Sequence, residues 1–382
     1  MEQGKRVAIV GGGVIGCLTA WMLKRRGATP LVLERGNLGS ESSWAGAGIL
    51  CPINPWLYPA AFTHLVDASL AMYPQLQKEL ESVSGMSIER LQSGLLVPFL
   101  GDDKADHRQD ALDWSKRFGW QVEELDAVAA TKAEPALSAN IQGALLWPQV
   151  GQLRNPRLLQ ALRRVLEIEA IEVHEQADVS GLCIHCGKVN GVKLGDGSEI
   201  QADAVMLAAG SWSGELADQM GFSLPVQPVK GQIVLLKSEP GLLRHIVKHD
   251  RAYFVPRTDG RVLVGASMEN VGFSRGNTDK AISQLMQAMI DIVPGLKDAE
   301  VEHQWMGFRP GSPDGLPFMG PVPGVSGLWV ASGHYRNGVA LAPITARVMG
   351  DWIMGQKPEM DMSAFRVDRL ADNSALGYPA AA

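Results

Sequence analysis

The chain of 382 residues is 46% hydrophobic and 20% charged, which places it among ordinary soluble globular proteins with room for two domains and a substantial core. Its formal net charge of -6 excludes a general attraction to nucleic acid or to an anionic membrane surface. Four cysteines, Cys17, Cys51, Cys183 and Cys186, are too few and too irregularly spaced for a disulfide framework and suit reduced thiols.

The first predicted element is a buried strand over Val7–Val10, followed by the turn Gly11-Gly12-Gly13-Val14-Ile15-Gly16 and a helix through Arg26 that stops at Gly27. Gly11 lets the chain turn tightly out of the strand, Gly13 lets backbone approach a pyrophosphate, and Gly16 lets the helix pack close on the sheet. The helix N-terminus then offers unpaired N–H groups and a positive dipole end to phosphates. Leu31–Leu33 reads as the second strand, so Glu34 falls at its carboxyl end. A carboxylate there accepts both hydroxyls of an adenosine ribose and repels a 2′-phosphate. The same glycines break the apolar run from Val7 to Leu23, which therefore reads neither as a signal segment nor as a membrane span. No other stretch nears the ~18 uninterrupted apolar residues of a span. A cytoplasmic, dinucleotide-binding protein is the expectation.

From Arg35 to Leu50 small residues dominate. Hydroxyls at Ser42 and Ser43 and open backbone at Ala47 and Gly48 suit a loop lying on a pyrophosphate or an isoalloxazine ring. Helical spacing follows from Ala61 to Ser84, in Phe62, Leu65, Leu70, Met72, Leu76 and Leu80. A strand is expected over 94–100, helices over 106–118 and 127–134, and a strand over 143–147. This stretch has no nucleotide motif and is assigned to a separate substrate domain.

Asn155 opens a helix to Glu169 with proline early in it. Strands are expected over 171–174 and 179–186, then a hairpin of 189–194 with 199–200 turning at Asp196-Gly197. Strand alternation puts Cys183 and Cys186 on opposite faces, and no second ligand pair follows at zinc spacing, so no metal site is expected. The buried strand from Ala204 runs into Gly210-Ser211, where a second phosphate or ring contact would lie. Antiparallel strands are expected over 230–236, 252–257 and 261–268, the last two turning at Thr258-Asp259-Gly260, and a helix over 279–292. The nucleotide-binding part is thus interrupted: 1–85, 150–220 and 300–382 form it, and 86–149 with 221–299 form the substrate domain.

Two late motifs, Gly307-Phe308-Arg309-Pro310-Gly311-Ser312-Pro313-Asp314-Gly315-Leu316-Pro317 and Gly333-His334-Tyr335-Arg336-Asn337-Gly338, complete an ordered set with the glycine turn, Ser42-Ser43, Ala47-Gly48 and Ala209-Gly210-Ser211-Trp212. Together they resemble the D-amino-acid oxidase superfamily of flavoenzymes, and most of all its glycine oxidase branch, over nearly the whole chain. The resemblance implies an α/β, two-domain fold like that of p-hydroxybenzoate hydroxylase: a Rossmann-type FAD-binding domain and a smaller antiparallel-sheet substrate domain. It implies noncovalent FAD, because Gly311 stands where related sarcosine oxidases carry the cysteine that attaches the flavin.

The implied reaction is hydride transfer from glycine, sarcosine or a small D-amino acid to flavin N5. The products are an oxo acid, ammonia or an amine, and hydrogen peroxide formed from oxygen. An alternative acceptor is a quinone or a partner subunit. A homo-oligomer and a role in making the thiazole of thiamine are further implications. An arginine guanidinium matches a carboxylate in a bidentate pair. Arg309, read as lying just past a strand, becomes the carboxylate clamp, with Tyr253 and Met268 beside it and Arg336 shared between substrate contact and flavin support. The implied cofactor contacts are Gly11, Gly13, Val14, Ile15, Gly16, Glu34, Arg35, Ser42, Ser43, Ala47, Gly48, Ile49, Val179, Ala209 and Gly210, and in the last motif His334, Tyr335, Arg336, Asn337, Gly338, Val339 and Ala340. His334 is expected to support structure or flavin rather than act as a base, and the flavin needs no protein base for this reaction.

Overall fold

The computed structural model describes residues 4–52, 54–101 and 107–370. β1 (Arg6–Val10) is built, from Val7 on, of small and β-branched residues buried on both faces, as an interior parallel strand requires. Gly11 leaves it at φ +114°, and α1 (Val14–Arg25) returns the chain to β2 (Thr29–Leu33), parallel to β1. The single-turn α2 (Ser42–Ala45), β3 (Ile49–Leu50) and the long α3 (Ala60–Ser84) follow, the last ended by Gly85 in the left-handed region. Next come β4 (Leu95–Leu100), α4 (Arg108–Phe118), β5 (Glu123–Asp126), α5 (Ala127–Ala133) and β6 (Ile141–Trp147). Asp126 caps α5 by accepting from Ala129 N at 2.7 Å. The chain then returns through β7 (Gly151–Gln152), α6 (Asn155–Ile168), β8 (Glu172–His174), the meander β9 (Val179–His185), β10 (Lys188–Leu194) and β11 (Glu199–Gln201), and β12 (Ala204–Leu207). After α7 (Ser213–Gln219) come β13 (Gln227–Lys237), β14 (Ile246–Lys248), β15 (Tyr253–Pro256), β16 (Arg261–Gly265), α8 (Asp279–Ile292) and β17 (Glu300–Gly311). The last elements are β18 (Phe318–Pro321), β19 (Leu328–Ser332) and α9 (Gly338–Ile353).

Two sheets organise these elements. One has the order β18-β19-β12-β1-β2-β8 and is parallel apart from β18. Alternation along β1 serves both of its faces. Val7 and Ile9 pack with Leu18, Trp21, Phe62, Leu162 and Ile344 of four helices, whereas Ala8 and Val10 pack with Val192 and Val189 of the small β11-β10-β9 sheet. The other large sheet has the order β17-β13-β16-β15-β14-β4-β6-β5 and is antiparallel except where β14 lies beside β4. Its core joins Val234, Phe254 and Val264 to Leu285 and Met289 of α8.

Three expectations change. Arg309 does not lie past a strand: it sits inside β17 opposite Val229, in a pairing with β13 that runs from Gln227 opposite Gly311 to Lys237 opposite Glu300. A boundary at 300 would cut this strand from its sheet. Gly307, Pro310 and Gly311 disguise the strand, since glycine and proline argue locally against a sheet interior, and long-range pairing overrides them. The strand expected over 261–268 ends at Gly265, which leaves Met268 on the connection to α8. The helix expected from Asp106 begins at Arg108 among the described residues, and Asp106 lies outside them. The sequence reading also did not foresee α9, which is buried nearly all round and has no amphipathic stripe to betray it. No helix among the described residues is long and apolar enough to cross a membrane.

Cys186 is the exposed thiol, whereas Cys17, Cys51 and Cys183 are buried. Burial pushes the Cys17 thiol up to about 12, with Glu34 acting the same way. Ellman's reagent should therefore find one fast thiol in the native protein and four in urea. A fast phase that survives Cys186→Ser would contradict this burial pattern.

Candidate active site

A cavity of about 530 Å³ opens at the carboxyl ends of β1, β2 and β12, where Val10, Leu33 and Ala208 reach its wall, and extends to the eight-stranded sheet. Its first wall is built on the glycine turn. A Cβ on Gly11 would lie 2.4 Å from the Ala208 carbonyl oxygen, so both space and φ demand glycine. α1 has no side-chain cap and no acid in its first turn, which leaves its N-terminal dipole facing the cavity. Glu34 accepts from Gly12 N and Gly36 N, each at 2.8 Å, one bond to each oxygen. The carboxylate is thereby fixed at the wall with acceptor capacity to spare. Arg35 lies 3.8 Å over the Trp212 ring and makes a flat cationic ledge.

Between the sheets, Gly48 (φ +76°) packs so tightly that an added Cβ would stand 2.0 Å from the Leu153 carbonyl oxygen. Asn155 Nδ2 donates to the Ser43 carbonyl at 2.7 Å, and Ser43 Oγ accepts from Val14 N at 2.9 Å, which ties this loop to the helix opening.

The opposite wall comes from β13, β15, β16 and β17. Arg309 is half-buried and lays its guanidinium over Gly231 of the neighbouring strand, where a Cβ would lie 2.2 Å from Nη1 and 2.4 Å from Nη2. Nη1 donates to the Ser267 carbonyl at 3.1 Å and to the Lys230 carbonyl at 3.4 Å. Tyr253 stands opposite Gly265 in the ladder, and its ring takes the space a Cβ there would fill, 2.6 Å away. Arg336 Nη2 and the Tyr335 hydroxyl both donate to Met268 Sδ at 2.9 Å. Among the described residues no carboxylate pairs with Arg309 or Arg336.

This donor set suits a dinucleotide with a redox ring: a helix N-terminus over a glycine turn, a fixed acid at the end of the second strand, and a cationic pocket beyond. Residues 6–352 match the FAD-dependent oxidoreductase family abbreviated DAO. The chain belongs to this family. Its relatives include a glycine oxidase of Pseudomonas aeruginosa, 41% identical over 95% of this chain and 98% of that one, and a glycine oxidase of Pseudomonas putida, 39% identical over the same shares. Among solved structures, a glycine oxidase from Geobacillus kaustophilus superposes with a TM-score of 0.91 at 31% identity, covering 96% of this chain and 99% of that one.

The cofactor of this flavoenzyme is therefore FAD. Nearly all the residues singled out from the sequence line the cavity, including all four substrate candidates, Arg309, Arg336, Tyr253 and Met268. Three do not. Gly16 packs against the turn, where a Cβ would meet the Gly11 carbonyl oxygen at 2.0 Å. Asn337 is buried ahead of α9, and Ala340 is buried within α9, its carbonyl accepting from Ser69 Oγ at 2.7 Å. Sequence reasoning missed Gly231 and Gly265, which make room for the arginine and the tyrosine. A glycine inside an apolar strand was the available signal.

Burial holds the Arg309 guanidinium below its ordinary value, Tyr253 opposes this, and the like charge of Arg336 adds to it. An arginine so placed still carries its charge. Burial raises the Tyr253 phenol, against the pull of Arg309, so its hydroxyl stays a donor. Lys248 also lines the cavity, donating to Asn54 Oδ1 and, at 3.3 Å, to Asp250 Oδ1, and burial lowers its pKa. His334 is buried with Nε2 3.0 Å from Thr345 Oγ1, and burial drives it down to about 3.

Gly231→Ala should fold and keep FAD, because the flexible end of Arg309 can swing away from the new methyl, yet lose roughly tenfold or more in kcat/KM, or ~1.4 kcal/mol of transition-state stabilisation. Unchanged kinetics in that variant would refute the packing of Arg309 on Gly231. His334 should stay neutral from pH 8 to pH 5, whereas in the unfolded chain it protonates near 6.5. Its folded pKa is depressed, so its contribution is fully present above about 6.5 and is lost by ~1.4 kcal/mol per pH unit as pH falls towards 3. An imidazole signal at His334 that titrates near 6.5 by NMR would contradict this.

Proposed function

We propose that this flavoenzyme oxidises glycine, and more slowly sarcosine and small D-amino acids, at the carbon between amine and carboxylate. Oxygen takes the electrons, water hydrolyses the imino acid that results, and the products are an oxo acid, ammonia or an amine, and hydrogen peroxide. The observation that carries this reading is a guanidinium with no acidic partner among the described residues, Arg309, set beside the protonated Tyr253 in the cofactor cavity. The names of the Pseudomonas relatives support glycine as the substrate.

FAD, when bound, supplies the acceptor for the electron pair leaving the substrate. The glycine turn, the N-terminus of α1, Glu34 and the 42–48 loop would hold it. Arg309 receives the substrate carboxylate in a two-point pair, and the Tyr253 hydroxyl donates to the same group. Their positions on β17 and β15 of one sheet fix the orientation of Cα before reaction. Met268, held by Arg336 and Tyr335, limits the room for a side chain and so favours glycine. His334 is neutral and packed against Thr345, so it serves the wall rather than proton transfer.

The six-stranded sheet is the cofactor half and the eight-stranded sheet the substrate half, with the late crossing after Gly311 rather than at 300. A role in thiazole synthesis for thiamine is supported by similarity to chains named bifunctional protein ThiO/ThiG, such as that of Trichormus variabilis, 34% identical over 95% of this chain and 55% of that one. A homo-oligomer in the cytoplasm is proposed on resemblance alone, and size-exclusion chromatography tests the first part.

With glycine, an oxygen electrode should record uptake matched by peroxide and glyoxylate. Arg309→Ala should retain FAD but lose about 3 kcal/mol or more of transition-state stabilisation, above a hundredfold in kcat/KM. Near-wild-type kinetics would remove Arg309 from its role, and product formation without oxygen uptake would remove oxygen as the acceptor.

A further inference from the structure

Arg257 lies just beyond β15, four positions after Tyr253, which opens that strand. Its Nη2 donates to the Ala47 carbonyl at 2.8 Å, and its Nη1 to Gln152 Oε1 at 2.6 Å and the Leu153 carbonyl at 3.0 Å. The residue is buried, its Nε has no partner among the described residues, and all three acceptors are neutral oxygens. Burial lowers the guanidinium to about 10, and nearby Arg154 acts in the same direction. A buried cation without a touching carboxylate is costly to the fold, and simple packing would be served better by an apolar residue.

The acceptors explain what it does. Ala47 and Gly48 line the cofactor cavity. Leu153 N donates back to the Gly48 carbonyl at 2.9 Å, and β3 pairs with β7 through Ile49 and Gln152. One guanidinium therefore fastens both strands of this small ladder to the strand that carries Tyr253. Ion pairs across the seam, such as Arg154 with Asp259 at 3.0 Å and Arg275 with Glu41 at 2.7 Å, are partly exposed and contribute little by comparison.

We propose that Arg257 is a positioning residue: it fixes the Ala47–Gly48 backbone at a set distance from Tyr253, so that the cofactor and the substrate carboxylate are held in one frame. This rests on the reading of Tyr253 and Arg309 as the carboxylate site. A lysine keeps the charge but cannot span three separate acceptors, so it cannot replace the fork.

The test uses the holoenzyme and reads FAD dissociation by flavin fluorescence, together with kcat and KM for glycine. Arg257→Ala should raise the FAD dissociation constant at least tenfold and lower kcat with KM within threefold of wild type, because Arg309 and Tyr253 are untouched. Ethylguanidinium should restore FAD binding to Arg257→Ala, whereas ethylammonium should not. Gly48→Ala should weaken FAD binding through the same loop, so that the double variant is no worse than the poorer single one. If Arg257→Ala does not fold, Arg257→Lys carries the test with the same expected loss of FAD affinity. FAD binding within twofold of wild type in the folded variant, or fully additive effects with Gly48→Ala, would overturn the proposal. A wild-type flavin that glycine cannot reduce would fail the functional reading instead, and the FAD affinities would still decide the role of Arg257.

Discussion

The guanidinium of Arg309 has no carboxylate to meet within the described chain, and the substrate wall is shaped around that vacancy of charge. The guanidinium donates to two carbonyl oxygens and meets the Tyr253 phenol, neutral groups that steady it without neutralising it. Gly231 removes the one methyl that would displace it, and Gly265 removes the one that would displace Tyr253. Such an arrangement is unfavourable in the empty protein and becomes favourable when a small acid arrives, so part of the folding free energy is held back for binding. The neighbouring Arg336 sharpens the effect, since among the described residues its hydrogen bonds go to a sulfur and a phenol.

The cofactor side uses weaker groups in larger number. Backbone N–H groups, one helix dipole and a carboxylate held by two backbone donors present a fixed surface that needs no rearrangement to receive a dinucleotide. Fixed elements on both sides make the seam between the sheets the place where geometry is decided. Hydrogen bonds from Arg257 to the Ala47 and Leu153 carbonyls cross it, beside an apolar cluster that brings Ala47 together with Ile233 and Val255.

Local features were legible in the sequence and register-dependent ones were not. The turn from Gly11 to Gly16 and the acid Glu34 could be read because their meaning lies in spacing along one strand–helix–strand unit, and that unit forms as read. Arg309 was found as a residue but misplaced, because Pro310 and Gly311 look like the end of a strand until β13 is seen to pair with them. Gly231 and Gly265 carried no local signal beyond being glycines. Their significance depends on which side chain the adjacent strand places over them, which a single sequence does not encode in any short window. Arg257 was invisible for the same reason: its acceptors lie more than 100 residues away in the chain.

The most direct test of the carboxylate clamp is an anaerobic titration of the flavin absorbance with glycine and, separately, with glycinamide. The two have the same amine and the same carbon to oxidise but differ in the group that Arg309 receives. Bleaching by glycine at concentrations where glycinamide leaves the flavin yellow is the expected result. Equal bleaching by both would show that substrate orientation does not depend on a carboxylate paired to Arg309.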